Sequence, residues 1–175
     1  MSSDNAKFRA SLGRLKDNGI LTDIELLLSD NSTIRCHKIV LAAACAYFES
    51  MFTSAMKESS QQEVEMLFPD ADTMRTMVDY FYSGEIDMNA ANVKAFAASS
   101  GFLCLDGLKE QCQDFMSTLV DVFNAVDFYT FGSKYDMAKV TNKARTFILE
   151  RFEQVVTSCD DFKTLPERDM LELVA

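Results

Sequence analysis

The sequence predicts an α+β fold in which a short mixed sheet is flanked by helical hairpins and followed by a wholly helical segment. Polar and apolar residues alternate only in short stretches before about residue 90, and this alternation is typical of strands with one buried face. Beyond that point, apolar residues recur at the three- and four-residue spacing of helices. The 175 residues include only 6 glycines and 2 prolines, which argues against an all-β sandwich with its many turns.

Composition and charge exclude several classes of function. The chain has 27 acidic and 17 basic residues, a net charge of -10, and such a chain repels nucleic-acid phosphates and anionic lipid surfaces. No apolar stretch approaches the roughly 20 residues that span a bilayer, and the N-terminus has no cationic segment leading into an apolar run. We therefore expect neither a nucleic acid nor a membrane as a partner.

Cysteine and histidine usage argues against metal and nucleophilic chemistry. The five cysteines are widely spaced and form no CxxC pair, which predicts reduced intracellular thiols. His37 is the only histidine, and its neighbour Cys36 would point to the opposite face of a strand. Motifs such as GxSxG, HExxH and glycine-rich phosphate loops are absent from the sequence. We expect no catalytic residue, no metal and no cofactor, and we predict a binding protein and not an enzyme.

A predicted N-terminal helix carries one apolar stripe and ends at Asn18 and Gly19. Such a short helix needs a surface to cover its stripe, either in its own domain or on a partner. The stripe consists of Phe8, Leu12 and Leu15. Alternating residues then predict a strand at 22–28 and a returning strand at 33–37, joined by a turn.

The next segment is predicted to begin with one central, strongly apolar helix. Its stripe consists of Leu41, Cys45, Phe48 and Phe52. A polar and exposed connection follows at 56–62, and a short strand at 64–67. Asp70 is predicted to cap a helix that stops at Ser83 and Gly84.

From about residue 93 the periodicity predicts helices only. The four stripes are Val93, Phe96, Ala97 and Ser100; Leu108, Cys112, Phe115, Met116 and Leu119; Ala125, Phe128, Tyr129 and Gly132; and Val140, Ala144, Phe147, Ile148 and Phe152. Pro166 is predicted to open a last helix. Because the sequence stops within that apolar helix, at 171–175, we expect the native protein to continue.

Three blocks of the sequence, residues 21–26, 36–43 and 47–52, resemble the BTB (POZ) domain of kelch-like proteins in order and spacing. The resemblance continues through residues 80–86, where Ser83 replaces the usual Thr. Cys45 and Ala46 stand where the family often has Ser-Pro, which extends the apolar stripe.

The second part of the chain resembles the three-box and the opening helices of a BACK domain. The residues that carry this likeness are Asn124, Phe131, Gly132, Ala144, Phe147, Phe152, Phe162, Leu165 and Pro166. The resemblance thus implies a BTB/POZ domain with an N-terminal dimer-exchange helix at 1–117, and the three-box with the first helices of a truncated BACK domain at 118–175.

This family implies a function as well as a fold, because BTB-BACK-kelch proteins are substrate adaptors of cullin-RING ubiquitin ligases. The resemblance implies a homodimer that docks on the N-terminal domain of cullin-3, and a protein substrate bound by a further C-terminal domain of kelch repeats. The cullin-binding residues it implies are Phe52, Met56, Lys57, Glu58, Tyr82, Asn124, Phe128 and Tyr129. The dimer-interface residues it implies are Phe8, Leu12, Leu15, Asp23, His37 and Lys38. The expected location is the cytoplasm, with the nucleus as a second option.

Two other functions stay open. A BTB dimer that recruits a transcriptional corepressor would lack a three-box, and a cytoskeletal scaffold would act through its further repeats without cullin. For Asp23 and His37, a structural role is favoured over a catalytic or metal-binding one, since single buried polar groups are usually satisfied by the fold.

Overall fold

The computed structural model describes residues 3–54, 62–166 and 170–171. The chain divides into two units. The first, here called the mixed unit, comprises Met1–Asn89 and Ala98–Asp106. The second, called the helical unit, comprises Ala90–Ala97 and Gly107–Ala175.

The sheet of the mixed unit consists of β1 (Ile24–Leu28), β2 (Thr33–Cys36) and β3 (Glu63–Met66) in the order β2-β1-β3. The central strand β1 is antiparallel to β2 and parallel to β3. The inward-facing residues of β1 are buried, as the alternation predicts. The α+β class and the mixed sheet are thereby confirmed.

The helices of the mixed unit begin with α1 (Ser3–Asp17), α2 (Lys38–Ala44) and α3 (Ala46–Thr53). Helix α1 ends where Gly19 adopts a left-handed φ of 64°, as the sequence predicts. It packs against α4 (Ala71–Ser83) of the same chain.

The prediction of one central helix is wrong, because the helix is broken at Cys45. This residue is extended, with φ -148° and ψ 116°, and it ends α2 and precedes α3. Its Sγ atom donates a hydrogen bond to the Leu103 carbonyl oxygen at 3.1 Å. The apolar periodicity runs through the break because Cys45 is buried, and it therefore could not reveal the change of direction.

The limits of α4 follow the predicted capping residues. The Asp70 carboxylate accepts a hydrogen bond from the Thr73 N–H at 3.0 Å, which satisfies a free donor of the first turn. Gly84 adopts φ 75° and closes the last turn through a bond to the Tyr80 carbonyl oxygen. Both capping predictions are confirmed.

Regular structure continues with α5 (Val93–Phe102), α6 (Asp106–Leu119), α7 (Ala125–Lys134), α8 (Ala138–Glu150), α9 (Phe152–Ser158) and a 3-10 helix (Asp160–Thr164). The predicted stripe of α7 is buried throughout, and that of α8 is buried at Val140, Ala144 and Ile148. Phe152 departs from its predicted stripe: it begins α9 and is 44% exposed. Most of the helix predicted after Pro166 lies outside the described residues.

Candidate partner-binding surfaces

The residues predicted to contact cullin-3 begin in α3 of the mixed unit. Phe52, near the end of α3, is half-buried, and its ring stacks on that of Phe48 with centroids 5.7 Å apart. The Lys38 ammonium lies 5.6 Å from the Phe52 centroid. The described residues do not include Met56, Lys57 and Glu58, so their role in cullin binding stays a prediction.

Tyr82, also predicted to contact cullin-3, is buried in α4 and only 3% exposed. Its hydroxyl oxygen accepts a bond from the His37 backbone N–H at 2.9 Å and lies 2.7 Å from His37 Nδ1. His37 Nε2 lies 2.9 Å from the Ile20 carbonyl oxygen. A carbonyl only accepts, so Nε2 donates to Ile20; in the neutral imidazole, Nδ1 then accepts the proton of the Tyr82 hydroxyl.

This arrangement ties Tyr82 to the fold. Burial raises the pKa of the Tyr82 phenol, so the hydroxyl remains a donor at neutral pH. The bonds join the end of β2 to α4 across 45 residues of sequence, and they engage the Tyr82 hydroxyl within the chain. His37 is accordingly a satisfied buried polar group, the structural role that the sequence favours.

The predicted cullin-binding residues of the helical unit contribute mainly to its interior. Phe128 and Tyr129 are 6% and 5% exposed. Asn124 is half-buried, and its side chain donates to the Leu119 carbonyl oxygen and accepts from the Asp121 N–H, each at 2.8 Å. Burial therefore leaves Phe128 and Tyr129 little surface to offer to another protein.

The predicted dimer-interface residues differ in their exposure. Phe8 is 63% exposed on α1, whereas Leu12 and Leu15 on the same helix are half-buried. The exposed Asp23 carboxylate accepts a bond from the Lys38 N–H at 2.7 Å, within the chain. The contacts of Asp23, like those of His37, thus have a structural role.

A groove of about 520 Å³ runs beside α1 in the mixed unit. Apolar side chains from three helices line it, among them Phe8, Leu12, Ile39, Val40 and Phe81. Ile39, on α2, is 75% exposed. We call this apolar face, with Phe8 and Ile39 at its surface, the α1 groove.

A second exposed apolar area of the mixed unit consists of Tyr47, Phe68 and Phe102, and we call it the aromatic surface. The Phe102 ring contacts both others, at centroid distances of 5.0 Å to Tyr47 and 5.2 Å to Phe68. Phe68 and Phe102 are each 41% exposed. Burial also raises the pKa of the Tyr47 phenol, so its hydroxyl is neutral at physiological pH.

Sequence reasoning did not predict the aromatic surface. Its three residues come from segments far apart in the chain, so no local pattern joins them. One signal was available: apolar residues run without interruption from Met66 to Phe68, although alternation on a half-buried strand calls for a polar residue at position 67.

In the part of the chain that the structure describes, no three histidine, cysteine or acidic residues are grouped so that they could hold a metal ion. All five cysteines are free thiols. Burial raises the pKa of Cys36 and Cys112 to about 12, which disfavours the nucleophilic thiolate. Among the described helices, none is long and apolar enough to cross a membrane.

The two exposed apolar surfaces of the mixed unit are typical of a protein-interaction module. Comparison with known families agrees: the BTB/POZ domain model matches residues 12–119, and the model described as BTB And C-terminal Kelch, or BACK, matches residues 125–175. The chain belongs to the BTB/POZ family and carries a BACK segment, the organisation of a BTB adaptor module.

Its relatives include kelch-repeat proteins. Human Kelch repeat and BTB domain-containing protein 7 is 35% identical over 87% of this chain and 24% of the relative. Kelch repeat and BTB domain-containing protein 8 of Xenopus tropicalis is 29% identical over 93% of this chain and 27% of the relative. The chain thus spans about a quarter of the length of these curated relatives.

A solved structure supports the fold assignment. The BTB domain of zebrafish PATZ1 superposes with a TM-score of 0.59 at 26% identity, covering 67% of this chain and 95% of the PATZ1 chain. The resemblance to a BTB-BACK-kelch adaptor and the BTB fold are therefore both confirmed.

Proposed function

We propose that this chain is the dimeric, cullin-3-binding module of a substrate adaptor for a cullin-RING ubiquitin ligase, with no catalytic role of its own. The observation that carries the proposal is the succession of a BTB domain and a BACK segment in a chain whose relatives are kelch-repeat proteins. In this proposal, residues 1–117 form the BTB domain and residues 118–175 the three-box with the first BACK helices.

The proposed mechanism is recruitment. The module would hold the cullin-3 N-terminal domain while a kelch domain elsewhere in the protein holds the substrate. A dimer would bring two cullins to one substrate-bound assembly and so raise the effective concentration of ligase around the substrate.

The α1 groove supports the dimer in this proposal. Phe8 and Ile39 are large apolar side chains, 63% and 75% exposed, on two helices that line one apolar groove. Burying them against a second copy would remove apolar surface from water at about 25 cal/mol per Å². A two-fold interface uses the same patch on both copies, and in this proposal that patch is the α1 groove with its exposed rim.

Calorimetric titration with the cullin-3 N-terminal domain tests the docking step. We expect one cullin domain to bind per protomer, and we expect binding to be lost in the double variant Met56→Asp, Glu58→Lys, whose folded state is checked by circular dichroism. A matched control is Glu110→Lys, which changes an exposed charge on α6 and should bind like the wild type. A folded wild-type chain that releases no heat of binding at any temperature tried would contradict the docking proposal.

Light scattering tests the dimer separately. The wild type should have twice the 19.7 kDa mass of the chain. Ile39→Asp places a charge on the exposed α2 side of the α1 groove and should shift the mass toward that of the monomer, while Leu149→Asp on α8 should not. A wild-type mass of one chain at micromolar concentration would contradict a dimer.

A further inference from the structure

We propose that Cys45 and Cys104 form a redox-responsive pair, in which a peroxide oxidises the exposed Cys104 and the buried Cys45 then joins it in a reversible disulfide. The inference goes beyond the proposed function, since it requires neither a cullin nor a substrate. The product is a covalent link between the break that separates α2 from α3 and the residues that follow α5.

The first observation is the proximity of the two cysteines. The Cys45 Sγ atom lies 3.1 Å from the Leu103 carbonyl oxygen, and Cys104 is the next residue in the chain. In a trans peptide this oxygen lies about 2.8 Å from the following Cα atom, so Cys45 Sγ is within about 6 Å of the Cys104 Cα atom. This bound places the pair within reach of a disulfide, which needs Cα atoms about 4.4–6.8 Å apart.

The second observation is the difference in exposure between the two thiols. Of the five cysteines, Cys104 is exposed and the other four are buried, Cys45 among them at 2% exposed. A peroxide in solution therefore meets Cys104 first. Cysteines that sense peroxide are accessible to solvent and often lie next to a second cysteine that resolves the oxidised form, and this pair has that arrangement.

The third observation is the setting of the Cys45 thiol. Burial raises its pKa, whereas the backbone N–H groups of Phe48 and Tyr47, in the first turn of α3, act in the opposite direction. These N–H groups would stabilise the negative charge that develops on the Cys45 sulfur as it attacks. A thiolate at Cys104 would raise the Cys45 pKa further, and because such an effect falls with distance, it supports the proximity of the two sulfurs.

The oxidation proceeds in two balanced steps. In the first, the Cys104 sulfur attacks an oxygen of hydrogen peroxide: an S–O bond forms, the O–O bond breaks, and the leaving hydroxide takes the thiol proton to give water. In the second, the Cys45 sulfur attacks the sulfur of the Cys104 sulfenic acid: an S–S bond forms, the S–O bond breaks, and the leaving hydroxide takes the Cys45 proton. The two thiols together supply both electrons that reduce the peroxide to water.

The disulfide would change what holds the break between α2 and α3. In the reduced chain, Cys45 has an extended backbone at that break, and its Sγ atom donates to the Leu103 carbonyl oxygen. On oxidation a covalent bond replaces this weak donor and closes a loop from residue 45 to residue 104. Because a disulfide restricts the unfolded chain, we expect the oxidised protein to resist unfolding better than the reduced one.

The test oxidises the 175-residue chain with hydrogen peroxide and maps its disulfides by mass spectrometry. Trypsin cleaves after lysine and arginine, so the five cysteines fall in five different peptides, with Cys45 in 39–57 and Cys104 in 95–109. We expect these two peptides to be linked in the oxidised chain and to be separated by dithiothreitol. The midpoint of thermal unfolding should rise by about 5 °C or more on oxidation and return on reduction.

Three serine variants assign the roles. Cys104→Ser removes the sulfur that peroxide reaches first and should abolish both the linked peptides and the thermal shift. Cys45→Ser keeps a donor for the Leu103 carbonyl oxygen and should leave Cys104 as a sulfenic acid that dimedone labels. The control is Cys159→Ser, which replaces a buried thiol of the helical unit and should form the disulfide like the wild type. Circular dichroism verifies that each variant is folded, and the peptide map of the wild type decides the test if one is not.

Two results would overturn the proposal. One is an oxidised wild-type chain in which peptides 39–57 and 95–109 stay unlinked, whether Cys104 remains a thiol, proceeds to a sulfinic acid or joins a second chain. The other is a link that forms only when the chain is unfolded in urea, because proximity in the folded chain would then play no part.

Discussion

In the mixed unit, directional hydrogen bonds join elements that are far apart in sequence, whereas in the helical unit two helices meet at a glycine. Tyr82 is bonded to His37, and Cys45 to Leu103, in buried surroundings. In the helical unit, α7 and α8 come together at Gly132, whose missing side chain leaves room for Val140 and Thr141. Buried polar bonds thus fix particular contacts of the mixed unit, while the α7–α8 contact of the helical unit depends on close packing.

The largest loss of stability is expected from adding a side chain where α7 contacts α8. A Cβ atom on Gly132 would lie 2.7 Å from Val140 Cγ1 and 3.1 Å from the Thr141 backbone nitrogen, so the helices would have to separate. Gly132→Val should lower the free energy of unfolding by about 3 kcal/mol, measured by urea denaturation.

The control for this packing prediction is Gly107→Ala on α6, where an added Cβ meets no described atom within 4 Å. It should be neutral or stabilise the chain by up to about 1 kcal/mol, because alanine favours helix. If Gly132→Val were as stable as the wild type, close approach would not be what holds α7 on α8.

The second-largest loss of stability is expected from removing the polar link of the mixed unit, which consists of the hydrogen bonds between Tyr82 and His37. Tyr82→Phe keeps the ring but leaves the His37 N–H and Nδ1 without their hydroxyl partner in a buried place. The free energy of unfolding should fall by about 2 kcal/mol. Hydrogen exchange should show faster opening at the His37 amide. Tyr80→Phe, on the same helix but half-exposed, should have little effect, and equal effects for the two variants would argue against a special role of the link.

A smaller loss of stability is expected from replacing Asp70, the residue that caps the start of α4. Hydrogen bonds from Thr73 lower the pKa of Asp70, so the folded state binds the ionised carboxylate better than the unfolded state does. Its contribution is present above the ordinary aspartate pKa of about 3.9 and is lost as pH falls through the lower folded value. Asp70→Ala should cost about 1 kcal/mol at neutral pH.

This difference between Asp70→Ala and the wild type should shrink below about pH 4. Asp70→Asn keeps a capping oxygen without the titration and should remain close to the wild type at neutral pH. A difference that stayed constant down to pH 2 or so would show that the carboxylate charge is not involved.

The smallest effect is expected from the ion pair of the helical unit. Lys94 Nζ lies 2.6 Å and 2.8 Å from the two Asp127 carboxylate oxygens and 5.0 Å from the Phe131 centroid. Both charged side chains are more than a third exposed, so water weakens the pair. A double-mutant cycle of Lys94→Met and Asp127→Asn should give a coupling of about 0.5 kcal/mol that falls with added salt. A coupling above 2 kcal/mol or so would contradict the view that packing dominates this unit.

The comparison also explains what the sequence could predict. Helical stripes such as Ala125, Phe128, Tyr129 and Gly132 can be predicted from spacing, and all four residues are buried. The capping residues of α4 could be predicted because each acts within one turn of helix. The break at Cys45 could not, since its extended backbone is accompanied by a bond to Leu103, 58 residues away.

The candidate binding residues were harder to predict than the fold. The resemblance aligns Tyr82 with a family position, but it does not reveal that Tyr82 is buried and bonded to His37. Phe68 and Phe102 meet only in three dimensions. The unbroken apolar run at 66–68 marks Phe68 alone, and sequence spacing carries no sign of its contact with Phe102.

We propose that the chain dimerises and docks on cullin-3, and the mass of the complex tests both properties at once. Light scattering during size-exclusion chromatography should show a species of two chains and two cullin-3 N-terminal domains. A folded chain whose mass stays the same when the cullin domain is added in excess would contradict the account.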